Sequence, residues 1–315
     1  MIKLDLITGF LGAGKTTFLK KYASYLLGRD EKICIIENDF GAINIDMVLL
    51  QDLACDNCNL EMVVGGDGAE AHKRRLKTKL ISMAMLEYSR VIIEPSGIFD
   101  VDEFFDLVYE EPLDKWYEIG NVVAILDPGI VKELSDNSRK VLVSELAQAG
   151  VVLFSKSESY SGEIKEEAIS IINTTMSEVG CQRLLTKEKL IDKSWDKLDN
   201  SDFCNIINCG FNQNSHEKVT TLGMPQYQTI FYFDFAMGID ELNKVLTEMF
   251  NDKSCGGVYR VKGIVNTADN KMTEINSTRY DRMTRQVDTG RAVLIVIGES
   301  INADALAKYF GRPTL

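Results

Sequence analysis

The chain has 315 residues, 45% of them hydrophobic and 26% charged, and a formal net charge of −12. That length reads as about two domains of ~150 residues each, enough to bury a large core without staples. The acidic balance argues against a nucleic-acid partner and against an anionic membrane, and the one dense basic run, Lys73-Arg74-Arg75, falls in a helical pattern and reads as a solvated helix face.

Residues 2–8 form a short apolar run, interrupted by Asp5, that ends at a Gly-rich turn and reads as a buried strand. Residues 15–27 follow with helical spacing at Phe18, Leu19, Tyr22 and Leu26. Further buried strands are predicted at 33–36, 90–93, 122–126 and 151–154, with helical patterns over 69–87, 129–149 and 162–179. Strands alternating with helices imply parallel βαβ units, so the fold class is α/β with a doubly wound, mostly parallel sheet. The pattern changes after about residue 186: 187–218 is polar and weakly periodic, and 212–218 looks like a linker. Beyond it come a strand at 227–235, an amphipathic helix at 239–250, strands near 257–266, 271–279 and 291–297, and a last helix at 302–310. The predicted organisation is a nucleotide-binding domain over 1–211, a linker over 212–226 and a smaller C-terminal α/β domain over 227–315. No segment approaches the ~20 apolar residues of a membrane span. Seven scattered cysteines, without a secretory leader, fit reduced thiols and a cytoplasmic location.

Gly9-Phe10-Leu11-Gly12-Ala13-Gly14-Lys15-Thr16-Thr17 matches G-x-x-x-x-G-K-[ST] between a strand and a helix, as a phosphate cradle requires. Backbone N–H groups of Gly12, Ala13 and Gly14 turn inward, Lys15 reaches the β- and γ-phosphates, and the Thr16 hydroxyl ligates Mg²⁺; the helix opening at Lys15-Thr16-Thr17 adds its dipole. The strand at 90–93 ends in Glu94-Pro95-Ser96-Gly97. An acid there lies beside the phosphate loop, so Glu94 is expected to hold Mg²⁺ or to orient the attacking water, and Gly97 to offer its N–H to the γ-phosphate. Asp39, in Glu37-Asn38-Asp39-Phe40-Gly41 on the same rim, is a further candidate for Mg²⁺. Lys15, Glu94 and Asp39 are thus the candidate catalytic groups. The strand at 151–154 runs into Ser155-Lys156-Ser157-Glu158, where GTPases place N/T/S-K-x-D. Lys156 would pack along the base and Glu158 would accept from guanine N1 and N2, a donor pair that adenine lacks.

With these stretches, the chain resembles the CobW family, which sits with the P-loop GTPases of urease and hydrogenase nickel insertion. Thr8–Thr17, Glu37–Gly41, Glu94–Gly97 and Ser155–Glu158 carry the resemblance, and Tyr259-Arg260-Val261-Lys262-Gly263 is similar to a pattern in the CobW C-terminal domain. The resemblance implies a slow GTPase that couples nucleotide state to delivery of zinc, cobalt or a related ion to a client metalloprotein, and leaves room for a nucleotide-dependent homodimer. The chain departs from the family in three places: the base motif ends in Glu158 where the pattern has Asp, the linker, histidine-rich in many members, has only His216, and a cysteine motif is missing. Most members carry C-x-C-C after the second strand; that position falls near Gly65-Gly66-Asp67-Gly68-Ala69-Glu70, which holds no cysteine. Earlier in the chain stands Cys55-Asp56-Asn57-Cys58, whose thiolates can share a Zn²⁺ or Co²⁺ ion with further ligands drawn from Glu37, Glu61, Glu70, His72 or a second protomer. Between the Asp39 region and the strand at 90–93, this pair would move when the γ-phosphate leaves. Two ordinary loop cysteines or a redox couple are the competing readings, and His72 reads first as an exposed helix residue. The alternative function is a metal-free GTPase switch that activates or protects a metal- or corrinoid-dependent client; a small-molecule kinase lacks an evident acceptor site.

Overall fold

Runs of apolar residues become the inner strands of a parallel sheet when helices cover both of its faces. In chain order the first part of the computed structural model holds β1 (Ile2–Thr8), α1 (Lys15–Leu27), β2 (Ile33–Asp39), α2 (Asp46–Leu50), β3 (Cys58–Val64) and α3 (Ala69–Ala84). It continues with β4 (Arg90–Pro95), α4 (Val101–Val108), α5 (Leu113–Trp116), β5 (Tyr117–Leu126), α6 (Asp136–Ala147), β6 (Val151–Phe154), α7 (Gly162–Glu178), β7 (Leu190–Ile191) and α8 (Asn200–Ile206). The structure describes residues 1–39, 46–64, 69–97, 101–213, 227–267, 271–288 and 290–314. By its contacts the chain divides into two units, Met1–Gly223 and Met224–Leu315. The expected linker lies outside the described residues except for 212 and 213.

The first unit is built on a seven-stranded sheet of order β3-β2-β4-β1-β5-β6-β7, and its neighbouring strands pair in parallel. This is the doubly wound P-loop arrangement expected from the sequence. The chain fills one side of β1 first and the other side later, so the order reverses at the carboxyl end of β1, where such sheets place ligands. Two strands were not anticipated. β3 mixes polar and apolar residues at one edge and is only partly buried, and β7 is two residues long at the other edge.

α1 buries Phe18, Leu19, Tyr22, Ala23 and Leu26, a stripe at helical spacing. It packs on Ile7, Ile33, Ile35, Ile92, Val123, Ile125 and Leu153 from five strands, with Cys58 in the same core. Midway along β1, Asp5 is fully buried within the strand. It accepts from Arg90 Nη1 at 2.5 Å, Tyr22 Oη at 2.5 Å and the Asn121 amide at 2.8 Å. His72, read as an exposed helix residue, is instead buried on α3 at 2% exposure, because that turn of the helix faces inward. Arg74 and Arg75 beside it are exposed, and Lys73 ion-pairs with Glu110 at 2.7 Å. No helix among the described residues is long and apolar enough to cross a membrane.

The second unit holds β8 (Tyr227–Phe233), α9 (Ile239–Asn251), β9 (Gly257–Asn266), β10 (Met272–Ser277), β11 (Arg282–Val287), β12 (Val293–Glu299) and α10 (Ala303–Phe310). Its strands form an antiparallel sheet of order β11-β10-β9-β12-β8. Leu242, Leu246, Met249 and Phe250 of α9, with Leu306 and Phe310 of α10, bury against Val261, Val265, Ile275, Leu294 and Val296 of the sheet. β11 is an addition to the predicted elements: an edge strand of sequence RMTRQV with no apolar alternation.

Candidate nucleotide site

The phosphate loop joins β1 to α1 at the carboxyl rim of the first sheet. Gly9, Gly12 and Gly14 all have positive φ. Gly14 needs its lack of a side chain: with φ 96° and ψ 21° it is left-handed and serves as the N-cap of α1 without any side-chain cap. The first-turn N–H groups of α1 are therefore left for a ligand, and the helix dipole adds a positive end. Lys15 is buried and its Nζ donates to the Gly9 carbonyl at 2.8 Å, inside the loop.

Thr16 and Glu94 meet as the sequence anticipates. The Thr16 hydroxyl donates to Glu94 Oε1 at 2.8 Å, and both residues are buried. Glu37 stands beside them. It is the register partner of Glu94 across β2 and β4. Each glutamate follows by two residues an isoleucine that packs under α1, so both carboxylates face the α1 side of the sheet. Glu37 is 3% exposed and Glu94 5%. Gly97 lies against the phosphate loop itself: a Cβ there would stand 2.5 Å from the Leu11 nitrogen. Asp39 closes β2 on the same rim; its side chain lies outside the described residues, as do Phe40 and Gly41. Hydroxyl and carboxylate oxygens beneath a cradle of backbone N–H groups suit a magnesium-bound phosphate chain, since Mg²⁺ takes oxygen ligands and keeps several waters.

The base motif follows β6. Ser155 is buried, its N–H donates to the Leu126 carbonyl at 2.9 Å, and its hydroxyl has no hydrogen-bond partner among the described residues. Lys156 adopts a left-handed φ of 51° and its Nζ reaches Asp127 Oδ2 at 2.7 Å. Glu158 is exposed in a short 3₁₀ turn, Ser157–Ser159, and ion-pairs with Lys197. Asp127 is a residue that sequence reasoning passed over. It directly follows the apolar run at 122–126, so the strand-end rule that selected Glu94 also selects it.

Cys55 and Cys58 lie elsewhere. Reciprocal backbone bonds, Cys55 N to Cys58 O at 3.2 Å and Cys58 N to Cys55 O at 3.0 Å, close a tight turn over Asp56-Asn57. Cys58 opens β3 opposite Ile33, the first residue of β2. The pair is thus at the amino rim, the length of β2 away from Asp39, or ~20 Å at about 3.3 Å per residue. Cys55 is exposed and Cys58 is buried in the α1 core, where burial pushes its thiol up to about 11. Among the described residues no three His, Cys, Asp or Glu side chains are gathered to hold a metal ion. The structure therefore does not bring the cysteine pair together with the phosphate rim. The position expected for C-x-C-C, 65–70, lies outside the described residues, apart from the backbone of Ala69 and Glu70 in α3.

A family model described as CobW/HypB/UreG, nucleotide-binding domain, matches residues 4–180. The zinc chaperone YeiR of Escherichia coli is 27% identical over 167 residues, covering 53% of this chain and 50% of its own. The zinc chaperone YjiA of the same organism is 27% identical over 181 residues, covering 55% of each chain. The chain thus spans about half the length of the curated relatives it matches. Among solved structures, Zn(II)-bound YjiA GTPase from E. coli aligns over 98% of both chains with 18% identity and a TM-score of 0.40.

Proposed function

The chain belongs to the CobW/HypB/UreG family, and on that premise we propose that it binds and hydrolyses GTP with Mg²⁺ and couples nucleotide state to delivery of zinc, cobalt or a related ion to a client metalloprotein. The observation that carries the hydrolytic part is the Thr16–Glu94 pair, 2.8 Å apart and buried beneath a phosphate loop whose helix N-terminus has no side-chain cap. Mg²⁺, when bound, neutralises charge on the β- and γ-phosphates. Thr16 and Glu94 would hold it. Lys15 exchanges the Gly9 carbonyl for phosphate oxygens, and Gly97 reaches the γ-phosphate from β4. Lys156 flanks the base and Glu158 accepts from guanine after giving up Lys197. Such a site works by position and charge alone.

Phosphate release from GTP, with no acceptor present, tests this reading. The native chain is expected to release phosphate slowly in Mg²⁺ and Lys15→Ala to release none. A native chain inert towards GTP, or one that needs an acceptor, would sink it. The names of the zinc-chaperone relatives support the metal part.

A second reading, a GTPase switch that carries no transition metal, is favoured by the burial of Cys58 at the rim opposite the phosphate site. A thiol held neutral in a core is a poor zinc ligand. Anaerobic titration with Zn²⁺ and Co²⁺, with GTP, with GDP and without nucleotide, separates the two. Tight binding lost in Cys55→Ser/Cys58→Ser supports delivery through that pair, weak binding by the native chain supports the switch, and tight binding indifferent to both substitutions supports a different metal site.

A further inference from the structure

The segment 192–197 follows β7 and touches both halves of the nucleotide site. Asp192 accepts from the Ser157 hydroxyl of the base motif, and from Lys165 Nζ at 2.8 Å. Lys197 pairs with Glu158. Asp196 accepts from Lys21 Nζ on α1 at 2.6 Å. Between these anchors the Trp195 indole lies on the phosphate loop: a Cβ at Gly14 would stand 2.9 Å from its Cη2 and 3.3 Å from its Cζ3. The ring also meets Phe18 edge-on, with centroids 5.6 Å apart. Its Nε1–H is buried and has no hydrogen-bond partner among the described residues.

From these contacts we propose that Trp195 is a positioning residue for the nucleotide, bracing Gly14 from outside and passing the state of the base motif to the phosphate loop. This rests on the GTP reading above. A glycine without a side chain has few contacts of its own to fix its backbone, and ordering a loose loop on binding costs affinity. The indole occupies the space beside Gly14 and fixes it in advance. The coupling follows from the short turn Trp195–Lys197. When Glu158 exchanges Lys197 for the N–H groups of guanine, the far end of that turn is released and the indole shifts on Gly14.

The chain has two tryptophans, so Trp116→Phe leaves Trp195 as its single indole fluorophore. Its emission is followed in the 315-residue chain during titration with GDP, and GDP affinity is measured for Trp195→Ala and Trp195→Phe. The expected results are an emission change with GDP, a Kd raised about tenfold or more in Trp195→Ala, and rescue by Trp195→Phe, which restores an aromatic face. A folded Trp195→Ala protein that binds GDP like the native chain overturns the proposal. So does a Trp116→Phe protein whose emission is blind to bound GDP, and this arm needs no change at Trp195. A native chain that binds no guanine nucleotide removes the GTP reading and the proposal with it.

Discussion

Thr16 and Glu94 are 78 positions apart, yet one hydrogen bond joins them. Glu94→Gln keeps an acceptor for Thr16 but removes the charge available to a divalent cation. Its turnover of GTP is expected to fall on the order of 10²-fold while GDP affinity moves far less, as for groups that act on charge developed in the transition state. Parallel phosphate-release and GDP-binding assays check this. Glu158, proposed above to contact the base, is expected to give a different signature. Glu158→Gln should weaken GDP binding by about tenfold or more and leave ADP binding unchanged, the loss of one charge-assisted hydrogen-bond pair; a drop shared equally by both nucleotides would contradict the assignment. The thiols divide by burial. Cys55 and Cys204 are exposed, whereas Cys34, Cys58, Cys181 and Cys255 are buried. Maleimide should label the first two in the native protein and the others only after unfolding. Mass mapping of Cys55 and Cys58, three positions apart, is the sharpest comparison.

At the scale of elements, the sequence was most legible where strands are covered on both faces. β1, β2, β4, β5 and β6 announce themselves as apolar runs, and the phosphate loop, Glu94 and Gly97 could be placed because each follows such a run. β3, β7 and β11 could not, since an edge strand exposes much of its surface and has no need of an apolar pattern. That omission misplaced Cys58, which read as a loop ligand and is the first buried residue of β3. Asp5 was illegible for another reason: its partners Arg90, Tyr22 and Asn121 come from three other parts of the chain. The ion pair of Asp5 with Arg90 ties β1 to β4, with side chains 0% and 4% exposed. Arg90→Met leaves a buried carboxylate without its cation, and urea unfolding should show a loss of about 3–5 kcal/mol. The double change that also makes Asp5 leucine should recover part of it.

For the whole molecule, every residue assigned to the nucleotide site lies in the first unit. A chain ending at residue 213 is therefore expected to fold and to bind GDP within a few-fold of the full protein; an unfolded or non-binding fragment would show that the second unit completes the first. Buried thiols set the alkaline limit. Burial raises Cys58 to about 11, and Cys34 and Cys209 to about 12, from an ordinary value of 9. The folded state favours their neutral forms, so this contribution is complete below pH 9 and is lost as pH climbs through 11 to 12. The urea midpoint should accordingly decline above pH 9, and replacing Cys34 with alanine should flatten that decline.

A backbone hydrogen bond ties the turn at Cys55–Cys58 to β2: the Ile33 amide donates to the Asn57 carbonyl at 2.8 Å. Hydrogen–deuterium exchange at Ile33 therefore reports on the turn from within the adjoining strand. An ion held by both sulfurs is expected to draw Cys58 out of the core and to loosen that bond. Deuterium would then enter Ile33 sooner, while the Phe18 amide, bonded to the Gly14 carbonyl at 3.1 Å, would keep its proton, so two amides separate an event at the cysteine rim from one at the phosphate rim.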